Sequence, residues 1–410
     1  MKRSILVLSW FLTGVTLIAC GLGVKATEDI MPSSVTVDSI PTDTYLAQQT
    51  PTPIVDSGSD LAATQTSVPA SAANQGIGIC TQRISVEVDG ISMRIPYCRN
   101  FALGTANEAI ERAVVVIHGT NRTAENYFNY VMNAAAQVGG ADSKTIILAP
   151  QFLTEEDIEN NELGDEILYW SNGGWKRGDL SQTTDQNPRP VRISSFSLLD
   201  VILEKLADKN QFPNLAHIVI AGHSAGGQFV NRYAAGSYVP TTLTQQNNIY
   251  VRFIVSNPSS YLYFNEVRRV EGTLDEFSVP NAAICPEYNI YKYGLEDRNS
   301  YMSATGEEQL ERQYYEREII YLLGDEDNDP NASDLDTSCA AMLQGAYRLE
   351  RGIIYNYYLI HYFGPDVMNQ HAKVIVEGVG HSANGIFNSV CGIRYLFDYD
   401  PNGECGAILR

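Results

Sequence analysis

The chain predicts an α/β domain over residues 77–410, a mostly parallel central sheet flanked by helices, with two loop or lid insertions at about 153–194 and 259–305. Three observations predict it. Short apolar runs rich in β-branched residues and nearly free of charge recur at 113–117, 145–150, 218–221, 250–255, 319–323 and 372–376. Such runs suit strands buried on both faces of a parallel sheet. Between them, residues 123–137 and 195–209 read as helices, and strands alternating with helices mark a parallel sheet. Finally, the run 218–221 passes without a loop into Gly222-His223-Ser224-Ala225-Gly226, where a helical pattern begins at once.

At 410 residues and 44% hydrophobic content, the chain can bury a large core. The length permits two or three domains, although one α/β domain with insertions absorbs most of it. The formal net charge of −20 argues against nucleic acid and anionic membrane surfaces as electrostatic partners, because both repel it.

Met1-Lys2-Arg3 followed by an apolar stretch over 5–19 has the basic start and short hydrophobic region of an export signal, too short for a comfortable membrane span. It ends in Leu17-Ile18-Ala19-Cys20, which resembles the lipobox of bacterial lipoproteins. That resemblance implies a signal over 1–20 and a diacylated Cys20 as the new N-terminus, so that the membrane partner is reached by a lipid anchor only. An ordinary cleaved signal and an uncleaved anchor are the alternatives. Residues 21–76 turn to Thr, Ser, Pro, Ala, Gln and Asp without hydrophobic period. They read as a disordered tether, which as a flexible coil spans on the order of 40 Å.

Seven cysteines occur, and setting Cys20 aside leaves Cys80, Cys98, Cys285, Cys339, Cys391 and Cys405. None has C-x-x-C spacing. An even number in an oxidising compartment predicts three disulfides. Cys80 with Cys98 is the most local pair, flanking a hairpin, and the other four can pair in three ways.

The folded part opens with alternation on either side of Asp89-Gly90 over 84–95, the pattern of a β-hairpin. The strand 113–117 runs into His118-Gly119-Thr120. After the strand 145–150 comes a long polar segment, 154–192, with Trp170 and Trp175; segments this long without their own secondary structure are usually functional. The two tryptophans either line a substrate cleft or form a local core. The helix 195–209 then leads through Pro213 to the strand that carries Ser224. Beyond the strand 250–255, a tyrosine-rich segment over 259–293 provides either an apolar acyl or alcohol pocket or packing. The strand 319–323 ends in Gly324-Asp325-Glu326-Asp327, and 372–376 leads to His381. Of six histidines, His381 alone follows a strand's carboxyl end without another assignment, His118 being read as a brace for its loop. Residues 336–363 read as two helices between these last two strands.

G-x-S-x-G after a buried strand and before a helix is the pattern of a sharp turn that exposes a serine nucleophile. From about 113 to 389 the chain resembles an α/β-hydrolase. The resemblance rests on His118-Gly119-Thr120, Ser224 between its glycines, Gly324-x-x-Asp327, and His381, in that order. It implies a triad of Ser224, Asp327 and His381, with Asp325 the second choice for the acid, and an oxyanion hole made by the Thr120 and Ala225 amides. His-Gly-Thr-Asn departs from the Gly-Gly-Gly loop of one lipase and esterase branch, and the connection over 329–370 is longer than a minimal one. No cofactor is implied. Asp325, Asp327 and Asp329 open like a calcium loop, but Pro330 stands where glycine is needed and Asp336 where glutamate is. The expected activity is hydrolysis of a small-molecule or polymeric ester. A peptidase or a polyester depolymerase is the alternative on the same fold. An inactive surface-tethered binding protein is the non-enzymatic one, against which the intact Ser, Asp and His set stands.

Overall fold

The computed structural model describes residues 77–406 and the backbone of 408–409. The expected signal with Cys20 and the tether over 21–76 lie outside the described residues. Eleven strands occur among those described: β1 Gln82–Val88, β2 Ile91–Arg99, β3 Arg112–Ile117, β4 Thr145–Pro150, β5 His217–His223, β6 Tyr250–Ser256, β7 Arg268–Arg269, β8 Phe277–Ser278, β9 Glu318–Gly324, β10 His371–Val376 and β11 Ile408–Leu409. Nine form one sheet in the order β1-β2-β4-β3-β5-β6-β9-β10-β11, while β7 and β8 make a separate ribbon.

From β4 to β10 every pairing is parallel. The hairpin β1–β2 closes one edge in antiparallel sense, and β11 the other. Asp89 and Gly90 turn the hairpin with φ of 51° and 78°, the positive values a two-residue hairpin turn requires. This order and sense is that of the α/β-hydrolase fold.

The uncharged runs become strands buried on both faces. On β3, Ala113, Val115 and Ile117 enter one core cluster and Val114 and Val116 the other; on β5, Ile218 and Ile220 part from Val219 and Ala221 in the same way. Each large side chain so buried contributes roughly 1.5–3 kcal/mol. Helices Ser195–Leu206, Ala225–Gly236 and Arg348–Phe363 bring Phe196, Phe229 and Tyr355 to the first face. Helices Ala124–Ala136, Ala383–Asn388 and Val390–Phe397 bring Val131, Phe387 and Ile393 to the second.

Three disulfides are present among the described residues. Cys80–Cys98 joins the start of the domain to the hairpin, as its local spacing predicted. Cys285–Cys339 and Cys391–Cys405 complete the set; of the three pairings open to these four cysteines, proximity in the fold selects this one.

Both insertions turn their aromatic residues inward. Trp170 and Trp175 are fully buried. Trp175 stacks on Phe152 with ring centroids 5.8 Å apart, and Phe152 sits 5.1 Å from Phe229. The tryptophans are therefore a local core, not the walls of a cleft. In the tyrosine-rich segment, where pocket and packing were both open, Tyr261 and Tyr263 are packing: both are buried, and they meet Tyr355 and Tyr358 at 4.3 and 4.2 Å.

Trp175→Ala is accordingly expected to lower the unfolding free energy by about 3–5 kcal/mol, the cost of an emptied aromatic site in a core. Urea denaturation midpoints check it. A loss under about 1 kcal/mol would mean that this insertion is not part of the cooperative core.

Candidate active site

Strand β5 ends at His223 and the next helix begins at Ala225, leaving Ser224 as the whole connection. Its backbone is held at φ 59°, ψ −120°, outside the ordinary regions for a side-chain-bearing residue, at a cost of about 1–3 kcal/mol. Its amide donates to the Ser256 carbonyl at 2.9 Å. The glycines on either side are required by close approach. A Cβ on Gly222 would stand 2.3 Å from the Gly226 oxygen, and one on Gly226 would stand 2.2 Å from the Ile117 oxygen.

The loop after β3 lies beside this turn, since a Cβ on Gly119 would be 3.8 Å from that of Ser224. His118 is fully buried. Its Nε2 accepts from the Phe152 amide at 3.0 Å, so Nδ1 carries the proton and donates to the Gly119 carbonyl at 2.9 Å. Burial pushes its pKa down to about 4, which keeps the ring neutral and in that tautomer. The Gly119 carbonyl also accepts from the Arg122 amide at 3.1 Å. In a trans peptide the N–H points opposite to the C=O. Anchoring the Gly119 carbonyl on one side therefore turns the Thr120 N–H to the other. Neither the Thr120 nor the Ala225 amide donates to an acceptor among the described residues.

Arg122, with φ 57°, supports the loop from below. Its guanidinium pairs with Asp157 at 2.5 and 3.0 Å and donates to the Thr120 carbonyl at 3.0 Å. Burial raises Asp157, but Arg122 and the Thr154 amide outweigh it and hold the carboxyl below its ordinary range. The buried Gln151 amide donates to the Arg122 and Gly78 carbonyls, both at 2.9 Å, and its oxygen accepts from the Cys80 amide at 3.0 Å.

Past β9, Asp327 is 5% exposed and its Oδ2 lies 2.6 Å from His381 Nδ1. Asp325, the second choice for the acid, instead has a buried Oδ1 without a hydrogen-bond partner among the described residues. The two loops are tied by their backbones, Asp325 to Val376 at 3.2 Å and Glu326 to Val379 at 3.1 Å. Asn257, at the end of β6, accepts from the Gly324 amide at 3.0 Å. The His381 ring lies 4.5 Å from that of His223, and burial first, then the charges of His381 and Arg348, holds His223 well below the usual imidazole pKa.

Two residues escaped the sequence reading. Asp334 Oδ2 lies 3.5 Å from His381 Nε2, on the opposite side of the ring from Asp327. Arg348, 1% exposed, reaches both carboxylates. Its Nη1 is 3.5 Å from Asp327 and its Nη2 2.8 Å from Asp334, while Nε donates to Ser259 Oγ at 3.1 Å. The Asp334 contact is an ion pair whose angle falls short of a hydrogen bond. Both residues lie in the connection over 329–370, whose length was the only signal they gave.

Ser224, His381, Asp334, Gly119 and Thr120 all line one cavity of about 420 Å³. His381 Nε2 is buried and has no hydrogen-bond partner among the described residues. Among those residues no group of three or more His, Cys, Asp or Glu is arranged to hold a metal ion. A strained serine turn, amides at Thr120 and Ala225 with no acceptor among the described residues, and an imidazole in contact with a carboxylate are the groups that this part of the fold brings together.

No protein-family model matches the chain, and neither does any curated protein. Among solved structures it is similar to poly(aspartic acid) hydrolase-1 from Sphingomonas sp. KT-1, at 22% identity and a TM-score of 0.47 over 76% of this chain and 96% of that one. It is also similar to a poly(3-hydroxybutyrate) depolymerase from Bordetella parapertussis, at 19% identity and a TM-score of 0.49 over 80% and 93%. A siderophore hydrolase from Aspergillus nidulans follows at 14% identity and a TM-score of 0.37 over 83% and 99%.

Arg348→Met leaves two carboxylates around one imidazole with no cation between them. Removing one partner of a buried pair costs up to about 3–5 kcal/mol, and less here, because Asp327 lies 3.5 Å away and Asp334 is 40% exposed and screened by solvent. Burial raises the Asp334 pKa, but Arg348 outweighs it and holds the carboxyl below its ordinary range. A depressed folded pKa stabilises fully above the unfolded value, about 4, and that contribution is lost as pH falls through the lower folded value. The stability gap between wild type and variant is therefore expected to be widest near neutrality and to narrow below about pH 4. Urea titrations across pH test this, and a gap independent of pH would mean that Arg348 acts by packing alone.

Proposed function

We propose that the chain is an exported serine hydrolase that cleaves carboxylic esters through an acyl-enzyme. The observation that carries the reading is the 2.6 Å contact of His381 Nδ1 with Asp327, in a histidine that lines the same cavity as Ser224.

A serine hydroxyl is a weak nucleophile at its own pKa. In this reading His381 Nε2 takes the Ser224 proton as Oγ bonds to the ester carbonyl carbon. Asp327 holds the proton on Nδ1 and stabilises the imidazolium that forms. The carbonyl oxygen becomes an oxyanion and receives the Thr120 and Ala225 N–H groups; losing one such donor costs about 100- to 1,000-fold in rate. Collapse breaks the bond to the alcohol oxygen, which leaves with the proton from Nε2. Water, deprotonated by the same nitrogen, then attacks the acyl-enzyme, releasing the acid and regenerating Ser224.

A fluorophosphonate is expected to label Ser224, identified by peptide mass mapping, and Ser224→Ala to abolish the adduct. His381→Ala should be nearly as damaging as Ser224→Ala towards short p-nitrophenyl esters, by roughly 10⁴- to 10⁶-fold, because nucleophile and base act as a unit. Normal turnover by His381→Ala would remove the base assignment. Absence of an adduct from folded protein would favour a binding protein, and turnover of peptides alone would favour a peptidase.

Export is supported by three disulfides, the chemistry of an oxidising compartment. No helix among the described residues is long and apolar enough to cross a membrane. The reading extends to a lipid anchor on Cys20 and a tether over 21–76 that holds the catalytic domain away from the bilayer. Cys20→Ser is then expected to move the protein from the membrane fraction to the soluble fraction. Unchanged partition would end the lipoprotein assignment.

A further inference from the structure

The cavity beside Ser224 is lined in a way that acyl transfer alone does not require. Asn121, Asn126, Tyr130, Asn384 and Asp334 face it, and Ala383 is its sole aliphatic side chain among the described residues. No Leu, Ile, Val, Met, Phe or Trp among the described residues reaches it. A buried methylene stabilises binding by about 0.8 kcal/mol only if apolar surface receives it, and sites for apolar ligands are lined mainly by hydrophobic residues. A fatty chain would find little such surface here beyond the rings of Tyr127 and Tyr130. Asn121 and Asn126 carry no side-chain hydrogen bond to the other described residues, so their amides are free to meet a ligand's hydroxyls.

Asp334 brings this polar lining to the reaction. Its Oδ2 is 3.5 Å from His381 Nε2, the nitrogen that returns a proton to the departing alcohol. A group next to the alcohol's departing oxygen therefore comes within reach of Asp334. Two kinds of group would suit a carboxylate, a cation or a hydroxyl. Arg348 already stands 2.8 Å from Asp334, so a second cation would meet a charge that is partly offset. A carboxylate has about four acceptor positions, however, and those left over can still take hydroxyl hydrogens.

We infer that Asp334 and the asparagine-rich rim select the alcohol half of the substrate, a short-acyl ester of a polyhydroxylated alcohol whose hydroxyl beside the ester donates to Asp334. This inference rests on the serine-hydrolase reading above. In it, Asp334 is a specificity-determining residue, and the bonds made and broken are those already described.

The test uses the full-length chain and two esters of the same acyl group and carbon skeleton, glycerol 1-acetate and n-propyl acetate, with p-nitrophenyl acetate as a third substrate. Wild type is expected to favour glycerol 1-acetate over n-propyl acetate by about 10- to 100-fold in kcat/KM, the range for a hydrogen bond to a charged acceptor. Asp334→Ala should bring that ratio close to one, and Asp334→Asn, which keeps one acceptor, should fall between. The wild-type ratio needs no variant, so misfolding of either one does not stop the test. A wild-type ratio near one, with p-nitrophenyl acetate cleaved in a Ser224-dependent way, overturns the alcohol selection and leaves the hydrolase reading standing. A preference that persists in folded Asp334→Ala overturns the role of Asp334. Absence of both ester cleavage and a fluorophosphonate adduct overturns the hydrolase reading and this inference with it.

Discussion

A strand buried on both faces meets a buried helix with one residue between them, and most of the site's geometry answers to that constraint. Ser224 has to end β5 and start the helix Ala225–Gly236 in the same three bonds, which forces its positive φ. The backbones then come so close that Gly222 and Gly226 have no space for a side chain. Since Gly226 packs on the Ile117 carbonyl, the end of β3 is fixed against the same turn. The loop from His118 onward therefore starts beside Ser224, and the braces from His118 and Arg122 need only direct its peptide planes.

The imidazole is positioned by unequal partners. Asp327 is buried and in short contact with Nδ1, so it determines how the ring sits; Asp334 is half-exposed and 3.5 Å from Nε2, so water competes for it. Arg348 joins the two carboxylates and offsets part of their charge. Without it, the acid that orients the ring would itself be an uncompensated charge in the interior.

The fold was legible because its strands are apolar runs of a length and composition that only a doubly covered sheet accommodates, as at 113–117 and 218–221. Ser224, Asp327 and His381 could be picked out since each follows such a run, and strand ends in a parallel sheet gather along one edge. Asp334 and Arg348 follow no strand. They reach the site through a connection whose path depends on tertiary contacts such as that of Arg348 with Ser259, and no local pattern encodes these. The aromatic residues show the converse. Trp170, Trp175 and the tyrosines of 259–293 carry the composition of either a pocket or a core, and only packing against Phe152, Phe229 and Tyr355 decides between them.

Gln151 gives the domain's entrance an unexpected neighbour. One amide holds the Gly78 carbonyl and the Cys80 amide at the point where the chain enters the fold, and the same amide holds the Arg122 carbonyl under the loop that carries Thr120. A displacement of residues 77–80 thus arrives, one side chain later, at the backbone under the Thr120 loop. The first residues of the domain and the loop beside Ser224 are coupled through Gln151, with the Cys80–Cys98 disulfide as a parallel path into the sheet edge.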